Sequence, residues 1–179
     1  SFNFTKKAFY KQAWDEQTIT ARGLFVDVNT AEVFARSYNK FFNLNERHET
    51  VARHLRDSLV YPVKVYQKEN GFLGICTARN GEMHYFSKST NSGDFATMFR
   101  EIAEKELKYA LDTGFANYLE TNGLSAVFEV ISHKDRHFVD YDGEDKLILL
   151  ALVKNDYKFE QLSYPEMHTV AKAFKITPK

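Results

Sequence analysis

Val63-Lys64-Val65-Tyr66-Gln67-Lys68-Glu69-Asn70-Gly71-Phe72-Leu73-Gly74-Ile75-Cys76-Thr77-Ala78-Arg79-Asn80-Gly81-Glu82-Met83-His84-Tyr85-Phe86-Ser87 is the stretch that decides the fold class. Three short runs, 63–68, 72–78 and 82–87, are separated by two Asn-Gly pairs. Asn-Gly between apolar runs signals a tight hairpin, because both central residues must adopt positive φ. The reading is therefore three consecutive antiparallel strands, with Lys68 at the end of one and Gly71 at the start of the next. Working outward, 20–28 and 32–38 read as a hairpin turning at Asn29-Thr30, and 125–131, 138–141 and 147–154 as further strands. Helical spacing appears at 49–59, where Val51, Ala52, Leu55 and Leu59 share a face. It appears again at 94–111, with Ser92 as cap and Gly114 as stop, and at 165–174. Strands and helices do not alternate regularly. That order argues against a doubly wound parallel sheet, and an α+β fold with antiparallel sheets is expected.

At 179 residues the chain fits one domain. It carries 24 basic and 24 acidic residues, so attraction of the whole molecule to nucleic acid is excluded and any such contact must rest on a local patch. The single cysteine, Cys76, rules out an internal disulfide and multi-cysteine metal sites; its apolar surroundings suggest a buried, inert thiol. His48, His54, His84, His133, His137 and His168 show no ligand spacing, and no residue is assigned to a metal. His133-Lys134-Asp135-Arg136-His137 reads as a solvated turn between strands. Most of the Phe and Tyr residues fall at core spacing, so base stacking carries little weight. No apolar run approaches membrane-spanning length and no signal peptide is visible, so the cytoplasm is the default expectation.

Chemistry concentrates at Lys68-Glu69-Asn70-Gly71. A lysine nucleophile must be partly desolvated or close to other cations to hold an unprotonated amine near neutral pH. A glycine three residues later would let the backbone pass close to a phosphate. Arg22 lies among Ala21, Gly23, Leu24, Phe25 and Val26, a costly place for a guanidinium without an anion, and suits bidentate contact with phosphate. Arg36 is a weaker candidate, equally well read as a solvated hairpin position. Glu129 sits on the face opposite Phe128 and Val130, where a carboxylate needs a partner: Arg22, Lys88 or a ligand.

The Lys-x-x-Gly element resembles motif I of the covalent nucleotidyltransferases: DNA ligases, RNA ligases and mRNA capping enzymes. Upstream, Ala21-Arg22-Gly23-Leu24-Phe25 and Ala35-Arg36-Ser37-Tyr38-Asn39-Lys40-Phe41-Phe42-Asn43-Leu44-Asn45-Glu46 are similar to segments of the bacteriophage RNA ligases that repair broken tRNA and of the ligase domain of fungal tRNA ligase. Downstream, Phe86-Ser87-Lys88-Ser89-Thr90 looks like motif Ia, Ala126-Val127-Phe128-Glu129-Val130 like motif III, and the run 147–154 like motif IIIa. The resemblance spans 20–154 and implies a nucleotidyltransferase fold, the ATP-grasp-like fold of DNA and RNA ligases. It implies ATP and Mg2+ as cofactors, the magnesium held largely by phosphate oxygens and carboxylates, and a lysyl-AMP intermediate at Lys68, the catalytic residue. Arg22, Lys40, Phe42, Glu69, Asn70, Gly71, Lys88, Glu129 and Lys154 become the implied nucleotide-binding residues, with Glu129 accepting from the ribose and Lys40 and Phe42 near the triphosphate and base. The implied partners are RNA ends, cleaved tRNA among them, and end-healing domains fused in the parent protein.

Two departures stand out. Asn70 occupies a position where many relatives carry Asp, although asparagine occurs in the fungal branch. The Glu-Gly of motif IV and the Lys-x-Lys of motif V do not follow, and Lys172-Ala173-Phe174-Lys175 has the wrong spacing. The expectation is a single adenylyltransferase domain over 1–179, incomplete at its C-terminus. Two other readings stay open: a capping-type guanylyltransferase using GTP, against which the Lys-Phe-Phe-Asn run argues, and a non-catalytic nucleotide- or RNA-binding module.

Overall fold

The computed structural model describes residues 1–135 and 143–179, and the strand expected at 138–141 lies outside them, as does His137. The architecture is α+β. A two-stranded ribbon, β1 (Leu24–Val26) and β2 (Val33–Arg36), lies beside a four-stranded sheet of β3 (Phe72–Arg79), β4 (Glu82–Ser87), β5 (Leu124–Ile131) and β6 (Lys146–Lys154). The four are ordered β4-β3-β5-β6 and every pairing is antiparallel. The Asn80-Gly81 turn forms as its sequence demands, with φ of 55° and 75°.

The other Asn-Gly pair does not make a hairpin. Residues 63–68 form no strand, and Val65 is 89% exposed. The strand order explains why: β3 has β4 on one side and β5 on the other, so neither edge is left for the preceding segment. Residues 20–28 contract likewise to Leu24–Val26. A short helix, Glu16–Thr20, capped by Asp15, runs into this segment, and Gly23 at φ 59° interrupts the extended backbone, so Arg22 lies in a bend rather than a strand.

On the helical side, α1 (Lys6–Tyr10) and α2 (Glu16–Thr20) precede the ribbon, and α3 (Ala52–Ser58) follows a 3-10 turn at His48–Thr50. The apolar stripe of α3 is not buried: Val51 and Leu59 are 39% and 43% exposed. The helix expected at 94–111 breaks at Leu107 into α4 (Asp94–Glu106) and α5 (Lys108–Asp112), and its N-cap is Gly93 rather than Ser92. Gly114 and Gly123, both left-handed, bracket α6 (Phe115–Asn122), which sequence periodicity did not reveal. α7 (Tyr164–Ala173) starts with a Ser163/Glu166 capping box. Among the described residues no helix is long and apolar enough to cross a membrane.

Strand alternation sorts the sheet's two faces. Cys76, Ala126, Phe128, Val130, Leu149 and Leu152 join the helix-side core with Phe99, Phe115 and Leu119. Burial pushes the Cys76 thiol's pKa up, keeping it protonated and inert. The opposite face packs Ile75 and Phe86 against Phe25 and Ala35 of the ribbon, and Val127 against Ala151 and Val153. With period two, Glu129 shares this second face with Val127. A register shift between Val127 and Phe128 leaves Leu150 as the extra residue of β6, and it too packs on this side.

Candidate active site

Glu129 pairs in register with Leu73 of β3, at the end of the sheet where the chain enters from residues 68–71. Its Oε1 accepts a 2.8 Å hydrogen bond from the Gly71 amide and lies 3.8 Å from Lys68 Nζ. Glu129 is therefore paired with Lys68 and Gly71, not with Arg22 or Lys88. The sheet itself requires a glycine at position 71. A Cβ there would stand 2.1 Å from the Val130 carbonyl oxygen, so the backbone can run this close to β5 only without a side chain.

Lys68 remains outside the sheet. Its side chain is 79% exposed, and Nζ donates to the Glu69 carbonyl at 2.7 Å. The desolvation a lysine nucleophile needs is thus not supplied by a flanking strand; a ligand lying over the amine would supply it. Glu69 is half-buried, and its Oε1 receives Lys179 Nζ at 2.7 Å, tying the end of the chain to the segment beside Lys68. The Lys179 backbone is itself fixed on β6, its amide donating to the Leu149 carbonyl at 2.9 Å. Asn70 is half-buried between these residues.

Two clefts, of about 590 and 560 Å³, meet at Lys68 and Glu129 and share Tyr38, Phe41 and Leu150. The first also contains Arg22, Gly71, Lys88 and Phe95. The second contains Tyr66, Gln67, Glu69, Gln161, Tyr164 and Lys179; its further rings are tyrosines, where those of the first are Phe72 and Phe95. Arg22 is held by a 3.4 Å contact with the Tyr38 carbonyl and stacks 5.1 Å from the Phe41 ring centroid. Burial lowers the Arg22 pKa, with Tyr38 and Glu129 partly restoring it. Lys88 is likewise lowered, first by burial and then by the nearby Arg22 and Lys40. Burial pushes Tyr38 up to about 12, with Glu129 adding to that shift and Arg22 opposing it. Three cations, Arg22, Lys68 and Lys88, thus converge with a single carboxylate, Glu129, in the first cleft: a site that favours a polyanion and can position it against an amine.

The remaining assignments divide. Lys40 and Phe42 stay beside the clefts rather than in them. Lys40 Nζ sits 4.0 Å from the Phe42 centroid, donates to the Phe41 carbonyl and lies 3.7 Å from Glu46. Phe41, 61% exposed, is the ring that enters both clefts. Lys154 is not brought to the site. It pairs with Leu124 at the far end of β6 and donates to the Asn122 carbonyl at 3.0 Å, whereas the β6 residue facing Glu129 is Ile148. Arg36 is neither solvated nor a cleft residue. It is 1% exposed, with its guanidinium bonded to the Asp156 and Tyr157 carbonyls and to Asn39 Oδ1, and it lies against the Phe159 ring. Tyr38, Leu150, Gln161, Tyr164 and Lys179 escaped the sequence reading. Tyr38 and Leu150 had a signal, their places in the quoted segments 35–46 and 147–154.

Among the described residues no three His, Cys, Asp or Glu side chains gather to hold a metal ion. The chain finds no match among curated proteins. The RNA ligase family matches over residues 20–179, covering every element from the ribbon through α7 and both clefts. The chain belongs to the RNA ligase family.

Proposed function

We propose that this chain is the adenylyltransferase domain of an ATP-dependent RNA ligase, built on the nucleotidyltransferase fold, with Lys68 as the residue that carries AMP. The observation that carries the reading is the convergence of Lys68 Nζ with Glu129, Arg22 and Lys88 at one cleft, in a chain of the RNA ligase family. In the first step the deprotonated Lys68 amine attacks the α-phosphorus of ATP. A P–N bond forms, the bond to the bridging oxygen breaks, and pyrophosphate leaves. Arg22 and Lys88 neutralise charge on the phosphates, acting most strongly where water is excluded. Glu129 orients the amine and, through Gly71, the loop that bears it.

In the second step an oxygen of an RNA 5′-phosphate attacks the same phosphorus, releasing Lys68 and giving a 5′-adenylylated end. In the third, a 3′-hydroxyl attacks the RNA phosphorus and AMP departs. The second cleft, where Tyr66 and Tyr164 join the shared Tyr38 and Phe41, suits the purine. The two carboxylates of the clefts, Glu69 and Glu129, are already engaged by Lys179 and by Gly71 and Lys68, so they do not form a resident magnesium site. Mg2+ fits this chain as a companion of the triphosphate rather than as an ion in a protein cage.

The test is incubation of the complete parent protein with α-labelled ATP and Mg2+ followed by denaturation. Covalent label is expected with ATP in preference to GTP and absent in Lys68→Ala. A label that persists in Lys68→Ala overturns the assignment, and preferential labelling by GTP supports the capping-type reading instead.

A further inference from the structure

The family match begins at residue 20, leaving the N-terminal segment without an assignment. Residues 1–14 contain Lys6, Lys7 and Lys11, five aromatic residues and no acid, in a chain whose net charge is zero. The segment is anchored. The amides of Phe2 and Phe4 donate to the carbonyls of Leu24 and Ala21 at 2.7 and 2.8 Å, Thr5 caps α1, and Ala8 is buried beneath it. The rings form a connected strip. Phe9 lies 5.5 Å from Tyr10 and 6.3 Å from Phe4, and Phe4 lies 4.9 Å from Trp14. Phe4 and Trp14 are half-buried supports, whereas Phe9 is 42% and Tyr10 77% exposed, and all three lysines are exposed. Rings this exposed are not filling a core.

The inner end of the strip reaches the candidate active site. Lys88 Nζ stands 5.4 Å from the Phe4 centroid, and Ser1 Oγ donates to the Ser89 carbonyl at 2.7 Å; Lys88 and Ser89 both line the first cleft. We propose that residues 1–14 are a docking surface for single-stranded RNA whose end enters the cleft. Lys6, Lys7 and Lys11 contact phosphates, and Tyr10 and Phe9 stack on bases. Charge complementarity and continuity with the cleft select this occupant: aromatic faces interleaved with lysines track a single strand without needing its sequence. The inference rests on the ligase reading for the identity of the RNA end, but not for the binding itself.

The experiment measures fluorescence anisotropy of a labelled single-stranded oligoribonucleotide with a 5′-phosphate, over a KCl series, using the whole chain. Replacing Lys6, Lys7 and Lys11 together by Ala is expected to flatten the log K against log [salt] slope by about 2. Tyr10→Ala is expected to weaken binding roughly five- to 150-fold with the slope unchanged. Both variants should keep wild-type thermal stability and wild-type ATP-dependent labelling. Wild-type affinity and slope in both variants overturn the docking surface. So does loss of binding to phosphatidylserine vesicles with RNA binding intact, or loss of ATP labelling in these variants. If Lys68→Ala in the parent protein labels as well as wild type while the RNA binding of these variants responds as expected, the surface stands and the ligase reading fails.

Discussion

The Gly71 amide donates a 2.8 Å hydrogen bond to the carboxylate of Glu129, 58 residues further along the chain. This contact clamps the segment bearing Lys68 onto β5, because Glu129 is fixed in register opposite Leu73 and Gly71 lies against the Val130 carbonyl. The carboxylate therefore has two roles: it holds the loop through a backbone amide and faces the Lys68 amine.

The two roles separate by substitution. Glu129→Gln keeps an oxygen that accepts from Gly71 and should stay close to wild-type stability while slowing transfer of AMP to Lys68. Glu129→Ala leaves the amide unpaired and should lose about 1–3 kcal/mol as well. Urea unfolding and the rate of covalent labelling check both; equal stability of the two variants would show that the clamp carries no weight.

Gly71→Ala places a methyl group where the Val130 carbonyl already lies. The backbone must shift, and a loss of about 1–3 kcal/mol, together with slow labelling at intact Lys68, is expected. A variant with wild-type melting temperature would mean that the loop tolerates the displacement.

Arg36 is expected to act on stability alone. Arg36→Met removes the donor to two carbonyls and to Asn39 in a buried position, costing roughly 1.5–3 kcal/mol. Labelling per folded molecule, measured at low temperature, should be unchanged; a selective loss of labelling would return Arg36 to the site.

Lys179 and Glu69 form a 2.7 Å pair that is mostly shielded from solvent. A double-mutant cycle with Lys179→Met and Glu69→Gln should give a coupling of about 1 kcal/mol, above that of most surface pairs. The KM for ATP should rise in both single variants if the pair fixes the wall of the second cleft, and an additive cycle would rule out the coupling.

The folded pKa of Tyr38, about 12, lies above the ordinary tyrosine value of about 10, so the fold favours the neutral phenol. Its contribution to stability is complete below about pH 10 and is lost as pH rises through about 12, with a slope of at most about 1.4 kcal/mol per pH unit. Tyr38→Phe has no ionisable phenol and should lack this part of the alkaline loss. Parallel stability curves for wild type and variant over that window would contradict the assignment.

Local chemistry by itself determined the Asn80-Gly81 hairpin, the alternation that sends Phe128 and Glu129 to opposite faces, the buried Cys76, and α7 with its cap. It also drew attention to Arg22 and Glu129, charged groups within apolar runs, and weakly to Lys68 beside a glycine; Lys88 was singled out only by the resemblance of 86–90 to motif Ia. Tertiary structure decided the rest. The apolar run at 63–68 has strand composition, but β4 and β5 already occupy both edges of β3, so it stays unpaired and leaves Lys68 exposed. That Gly71 is also needed for the close approach of the backbone to β5 is visible only in the assembled sheet. Arg36 and Lys154 carry the same charge as the cleft cations, but the register of β2 and β6 turns one into the interior and leaves the other at the far end of the sheet. Such outcomes depend on which strand edges are free and where a register ends, and those are properties of the assembled sheet rather than of any window of sequence.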